Sequence, residues 1–276
     1  MKKLLALMLV AIFFGSVSSD ACTNYLVSKG ASTDGSVMIT YSADAGGFME
    51  PFYYLPAQKH APNSYVDIYE WDTGKLLGKI KQVPETYRVV GNMNEWQVSI
   101  GETTFGGREE LMDTNALIDY GSLIYLGLQR AKTAREAIKV MTDLVAEYGY
   151  YSSGESFSVA DANEEWVMEM ISKGSGEKGA VWVARRVPEG MICAHANQAR
   201  IREFPLNDPE NCLYAKDVIE FAKKRGFYDP KKGEFSFVDA YCPLEPSGAL
   251  ACEGRVWSFF NHAAPSLNLS PDYWRA

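Results

Sequence analysis

The chain has 276 residues, 47% of them hydrophobic and 22% charged, which suits a globular protein able to bury a sizeable core. Its net charge of -8 excludes a broad nucleic-acid-binding face, because phosphate neutralisation needs clustered Lys and Arg. No run of like charge reads as an acidic or basic tail.

Lys2 and Lys3 open the chain, an apolar stretch over 4–14 follows, and Gly15, Ser16, Ser18 and Ser19 supply small residues. That order predicts a secretory signal peptide over 1–21; the apolar stretch is too short for a membrane span. A cut after Ala21 leaves Ser19 and Ala21 as the small residues that signal peptidase reads, and makes Cys22 the first residue of the mature chain. No later segment is apolar enough to cross a membrane. The expected destination is outside the cytoplasm, in the periplasm or the extracellular space.

From Cys22 onward the pattern reads as strands. Residues 23–28 and 37–41 form an expected hairpin around a turn at 30–35, and Gly46 and Gly47 open a loop. Further strands are expected over 65–70, 87–90 and 97–101, with a turn at 72–74. The period then changes. Apolar residues at helical spacing predict a helix over 114–131 and a second over 133–148, the latter opening with a capping box at Thr133 and Glu136. Strands return over 156–160, 166–171, 181–185 and 191–194, with turns at 161–164 and 173–178. A last helix is expected over 212–225. Strands, paired helices and strands again fit sheets packed face to face with helices outside, in one domain.

Five cysteines, Cys22, Cys193, Cys212, Cys242 and Cys252, form no CxxC pair and no zinc-type cluster with histidine. No metal ion and no cofactor are expected. In an oxidising compartment an odd count leaves one thiol over; Cys22 is the natural one, and a disulfide among Cys212, Cys242 and Cys252 stays open. A hydrolase needs a nucleophile with a base beside it. An N-terminal cysteine contains both, since its thiol attacks and its own α-amine, with an ordinary pKa of about 7.7–8.0, takes the proton. The three histidines, His60, His195 and His262, sit in no Cys/His protease signature, and none is then required. The competing reading of a cysteine after a leader is a lipid-anchored surface protein with Cys22 acylated. That pathway prefers Leu three residues before the cysteine and a small uncharged residue two before it, where Ser19 and Asp20 stand.

The run Cys-Thr-Asn-Tyr-Leu-Val-Ser-Lys-Gly-Ala-Ser-Thr-Asp-Gly-Ser, from Cys22 to Ser36, resembles the opening of the C69 dipeptidases. Val90-Gly91-Asn92-Met93-Asn94-Glu95, continuing from Gly101 to Arg108, resembles the family as closely. So do the block 196–202 and the group Arg255-Val256-Trp257, Phe260-Asn261 and Ala264-Pro265-Ser266. These blocks occur in family order across nearly the whole mature chain. The family belongs to the N-terminal nucleophile hydrolases and is more distantly similar to penicillin V acylases and bile salt hydrolases. The resemblance implies an α+β fold, a four-layer αββα sandwich over 22–276 with Cys22 at the end of a central strand facing a cleft. It implies hydrolysis of dipeptides, so small peptides are the expected partners, and a homo-oligomer is left open.

The same resemblance implies roles. Asp44 would hold the catalytic amine, Asn197 would contact the amine or the developing oxyanion, and Arg255 would line the nucleophile and lower its pKa. Thr103 or Thr104 would supply an oxyanion donor. Asn94 and Glu95 read as a tight turn. The acylases carry an Arg shortly before the Asp44 position, and residues 41–43 have none, which counts against bile-salt or penicillin activity. The alternative enzyme is an amidase or acylase acting on N-acyl amino acids. Family dipeptidases run longer than this chain, so a truncated gene, a fragment and a short relative all stay open.

Overall fold

The computed structural model describes residues 21–44 and 52–270. The expected signal peptide, apart from Ala21, lies outside them, as do Gly46, Gly47 and residues 271–276. In chain order the first strands are β1 (Ala21–Val27), β2 (Met38–Ile39), β3 (Ser42–Asp44), β4 (Tyr54–Leu55), β5 (Gln58–Lys59), β6 (Tyr65–Tyr69) and β7 (Leu76–Lys81). Then come β8 (Glu85–Thr86), β9 (Val89–Val90), β10 (Met93–Asn94), β11 (Ser99–Gly106), β12 (Gly154–Ala160) and β13 (Glu165–Ser172). The last are β14 (Ala180–Arg186), β15 (Ile192–His195) and β16 (Cys212–Tyr214). The main helices are α1 (Tyr120–Arg130), α2 (Ala134–Tyr148), α3 (Val218–Arg225), α4 (Phe237–Tyr241) and α5 (Gly254–Ala263).

The fold is α+β with antiparallel sheets. The larger sheet runs β16-β14-β13-β12-β11-β10-β9-β4, and the smaller has β15 on one edge of β1 with β2 and β3 along the other. One face of the large sheet is apolar because Ile100, Phe157, Val159, Trp166 and Met168 alternate toward it. Leu123 and Leu128 of α1 and Ile138 and Met141 of α2 cover that face. Burial of Phe157, which has no exposed surface, is worth about 1.5–3 kcal/mol. The smaller sheet lies over part of the opposite face, with β1 packed along β11. Its outer side is covered by α5: Tyr25 and Phe259 stack at 4.1 Å, and Val256 packs with Ala194 and Ala196.

Several expectations shift by a residue or a turn, for local reasons. The helix expected over 114–131 starts at Tyr120, because the Asp119 side chain accepts the Ser122 N–H and caps it while Ile118 bridges to Tyr150. The Thr133 hydroxyl accepts the Glu136 N–H as expected, and Glu136 returns its bond to the Lys132 N–H. The helix expected over 212–225 is corrected at its start. Cys212–Tyr214 instead pairs with β14 as an edge strand, and α3 begins at Val218. Of the strand expected over 37–41 only β2 forms, with β3 following it as a strand the pattern did not foresee, and 87–90 keeps only Val89 and Val90. Asn94 forms the expected turn, accepting from the N–H of Trp96 and Val98, and its amide also ties to the carbonyls of Leu128 and Ala131 in and after α1. All five cysteines are unbonded.

The layer between β1 and β11 is polar and directional. Gly101 makes the approach possible, since a Cβ there would come within 2.9 Å of the Asn24 amide and 3.0 Å of Tyr41 Cβ. His195 has no exposed surface, and burial holds its pKa down at about 3, so the ring is neutral. In the amide orientation that satisfies both ends of Asn24, its nitrogen donates to the carbonyls of Thr23 and Glu102 and its oxygen accepts from Ser158. Ser158 then accepts from His195 Nε2 at 2.8 Å, and His195 Nδ1 accepts from the Thr103 hydroxyl at 2.7 Å. One chain of donors, Thr103 to His195 to Ser158 to Asn24, runs between the sheets without a break.

Candidate active site

β1 carries Cys22 to the edge of a cavity of about 390 Å³. Its register against β3 sets Cys22 opposite Ala43 and Ala21 opposite Asp44. The backbone N–H of Cys22 donates to Asn197 Oδ1 at 2.8 Å. Asn197 follows β15 with φ +56°, a left-handed conformation that Asn tolerates better than most residues. That turn aims its amide back at β1, and its Nδ2 donates to the Thr104 carbonyl at 2.7 Å.

Arg255 stands in the first turn of α5, which is entered through a π turn at Ala249–Glu253. Its Nη1 donates to the Cys22 carbonyl at 2.6 Å and to Thr23 Oγ1 at 2.9 Å. Its Nη2 donates to the Ala196 carbonyl at 3.1 Å and Asn197 Oδ1 at 2.9 Å, and its Nε to the Ala251 carbonyl at 2.8 Å. A guanidinium has five N–H donors, and every one is used. Cys22, Asn197 and Arg255, distant in sequence, thus form one bonded group.

Asp44 also lines the cavity, with its backbone N–H directed at the Cys22 thiol and its carboxylate accepting from the Ser42 hydroxyl at 2.6 Å. The two threonines face opposite ways, as neighbours on a strand must. Thr104 lines the cavity and donates its hydroxyl to Glu155 Oε1 at 2.8 Å. Thr103 has no exposed surface, and its hydroxyl is taken up by His195 in the layer between the sheets.

Sequence reasoning missed the rest of the cavity. Glu102 from β11 and Glu155 from β12 form its floor, only 2% and 1% exposed. Alternation offered a signal: Glu102 shares a strand face with Ile100, and Glu155 with Phe157 and Val159, so each carboxyl interrupts an apolar row. Tyr41 donates to Glu102 Oε1 at 2.8 Å. Burial pushes both carboxyls above the usual range, and the Glu102 charge raises Glu155 further. Two carboxyls buried together cannot both ionise cheaply, so the pair shares a proton. The turn joining β6 to β7 brings in Glu70, Trp71 and Asp72. It is pinned to α1 by the Trp71 N–H on Asp119 at 2.7 Å and the Tyr120 hydroxyl on Asp72 at 2.8 Å. Gly121 permits this, because a Cβ there would meet the Trp71 ring at 2.6 Å. The Cys22 thiol, half-buried beside Glu102, is pushed up to about 11, first by burial and then by that charge. Among the described residues no group of three or more His, Cys, Asp or Glu could hold a metal ion.

The model of peptidase family C69 matches residues 21–273, and the chain belongs to that family. A protein named probable dipeptidase from Salmonella dublin is 29% identical, the match covering 97% of this chain and 63% of that protein. A probable dipeptidase from Latilactobacillus sakei is 27% identical over 93% of this chain and 56% of its own length. A probable dipeptidase A from Streptococcus pyogenes serotype M3 is 29% identical over 73% of this chain and 45% of its own. The chain therefore spans less than two thirds of the length of the relatives it matches.

Proposed function

We propose that this chain is an exported cysteine dipeptidase of the N-terminal nucleophile type, with Cys22 as nucleophile and its α-amine as base. The observation that carries the reading is the hold on Cys22 by Asn197 and Arg255 at the rim of the cavity. Signal-peptide cleavage before Cys22 turns the nitrogen already bonded to Asn197 Oδ1 into the free amine, and removes Ala21 from its place opposite Asp44. The Asp44 carboxylate then lies beside that amine and stabilises it when protonated. The thiol, protonated at rest, passes its proton to the amine and attacks the carbonyl of the substrate's N-terminal residue. Asn197 has a second amide N–H to offer the oxyanion, since only one is committed to Thr104. The tetrahedral adduct collapses to a thioester, the amine nitrogen of the C-terminal residue leaving with the transferred proton. Water, deprotonated by the same amine, hydrolyses the thioester.

The four-layer αββα sandwich belongs to this reading. Its support is the order of layers: α1 and α2, the large sheet, the small sheet and α5. Names of relatives support dipeptides as substrates. The cavity is of small-molecule size, at the lower end of the usual range of about 300–1,000 Å³. An N-acyl chain is a poorer occupant, because carboxyls line the floor where it would lie. Among the described residues no helix is long and apolar enough to cross a membrane.

The test is the N-terminal sequence and mass of the protein released by its host, followed by dipeptide hydrolysis with and without Cys22→Ser. A free Cys22 start and thiol-dependent hydrolysis are expected. A lipidated Cys22, or hydrolysis unchanged by the substitution, overturns the reading.

A further inference from the structure

The floor of the cavity lacks something that the rest of the site has. Around Cys22, every donor of Arg255 and the amide oxygen of Asn197 are engaged. At Glu102 and Glu155, each carboxyl has one oxygen, Oε2, to which no described protein group donates. Both side chains are more than nine-tenths buried and both face the cavity. Only a proton drawn from solvent and shared between them fills the gap. Two buried oxygens to which no described protein group donates, on a wall with no Lys or Arg among its described lining residues, suit a small cation that brings its own N–H groups.

We propose that the Glu102–Glu155 pair is the subsite for the free α-ammonium of the substrate's N-terminal residue, an inference that rests on the dipeptidase reading of the same cavity. The position fits the chemistry. In a peptide the α-nitrogen is attached to the carbon next to the carbonyl that Cys22 attacks, so its subsite must adjoin the thiol. Glu102 does: its charge is the strongest charge acting on Cys22. An ammonium has three N–H donors, two for the unfilled oxygens and one left for water or a neighbouring acceptor. Its arrival displaces the shared proton to water and leaves both carboxylates ionised against one cation. The same cation offsets the Glu102 charge that opposes thiolate formation, so the substrate itself eases the ionisation of its nucleophile. A substrate with a blocked amine forfeits both effects.

Alanyl-alanine and N-acetyl-alanyl-alanine are the probes. Binding of each to the full chain carrying Cys22→Ser is measured by calorimetry, which scores the subsite without turnover. The acetylated peptide is expected to bind about 30-fold more weakly, the loss typical of charge-assisted hydrogen bonds. Turnover of both by the unaltered chain is expected to differ by more, about 100-fold in kcat/KM, if thiolate formation is also assisted. Glu155→Gln and Glu102→Gln should each shrink that ratio toward one by losing activity on the free peptide, and Glu102→Gln, which removes the charge that opposes the thiolate, should also raise turnover of the acetylated one. Equal binding of the two peptides overturns the subsite, as does a ratio that survives both substitutions. Dipeptide turnover abolished by Cys22→Ser would still uphold the dipeptidase reading in that case, so the two failures are distinguishable.

Discussion

Two sides of Cys22 differ in one respect. Toward α5, the strand start is held by a guanidinium with all its donors used and an amide bonded at both ends. Toward the floor, two carboxyls of β11 and β12 are buried with oxygens left over. A complete set of bonds fixes a geometry before any ligand arrives; an incomplete buried set is costly until something fills it. On the proposed reading, the first side positions the nucleophile and the second receives the ammonium of the substrate. Changes on the first side should therefore harm every substrate alike, and changes on the second should discriminate among substrates.

The largest effect belongs to the atom both sides serve. Cys22→Ser is expected to lower kcat/KM by about 10³-fold or more for every dipeptide tested, with the melting temperature nearly unchanged. Arg255→Lys comes next. An ammonium on a flexible stem cannot replace five donors in a plane, so acceptors on β1, just after β15 and in the π turn are left unpaired. A nucleophile misplaced by about 1 Å costs on the order of 10²-fold, and steady-state kinetics should show the fall in kcat rather than in KM. If the loss depended strongly on which dipeptide is used, the contrast between the two sides would be wrong.

The positioning side was legible in the sequence, and the receiving side was not. Cys22, Asn197 and Arg255 fall inside motif blocks, so resemblance pointed to them although they lie in three separate elements. Glu102 stood inside one of those blocks and still drew no role, because a strand carboxyl reads as solvated until its neighbours are known. Glu155 lay just before an expected strand start, so the alternation it shares with Phe157 and Val159 was not carried back to it, and its partners Thr104 and Glu102 come from β11. The fold shows the same division. Helical period and a capping box marked α2 to within a residue, since both are local. The start of α1 shifted because Asp119 and Ile118 answer to Trp71 and Tyr150 across the chain. Cys212–Tyr214 became a strand because β14 offered an open edge. α5, which carries Arg255, was not foreseen as an element at all.

Stability against pH sharpens the comparison. Glu155 keeps its proton to a higher pH in the folded chain than in the unfolded one. Between those two values the folded state holds more protons, so its stability is fully present below the ordinary carboxylate range and falls as pH rises from there. Glu155→Gln removes that titration. The variant's melting temperature should therefore fall less than the parent's between pH 5 and pH 8, the gap at pH 8 being on the order of 3 °C. Dipeptidase activity should drop in the same variant. More stable and less active is the signature of a group kept for a ligand; a variant that is less stable at pH 8 would show that Glu155 is held for the fold.

The smallest effect separates Thr103 from Thr104. Thr103→Val keeps the branched shape but removes the first donor of the chain between the sheets. His195 Nδ1 is then a buried acceptor without a proton. Switching the tautomer does not help, because a protonated Nδ1 would face a methyl group. Nε2 would then take the Ser158 hydroxyl away from Asn24. Either way one buried polar atom is orphaned, at about 1–3 kcal/mol, readable as a lower urea midpoint. Activity should stay within about twofold, since the remaining links still tie Asn24 to Glu102. Thr104→Val strips Glu155 of its hydroxyl donor at the cavity floor instead. It should cost about tenfold on free dipeptides, the value of one hydrogen bond to a charged group, and far less on acetylated ones. If Thr103→Val proved the more damaging to catalysis, the chain between the sheets would govern the reaction more tightly than the cavity floor does.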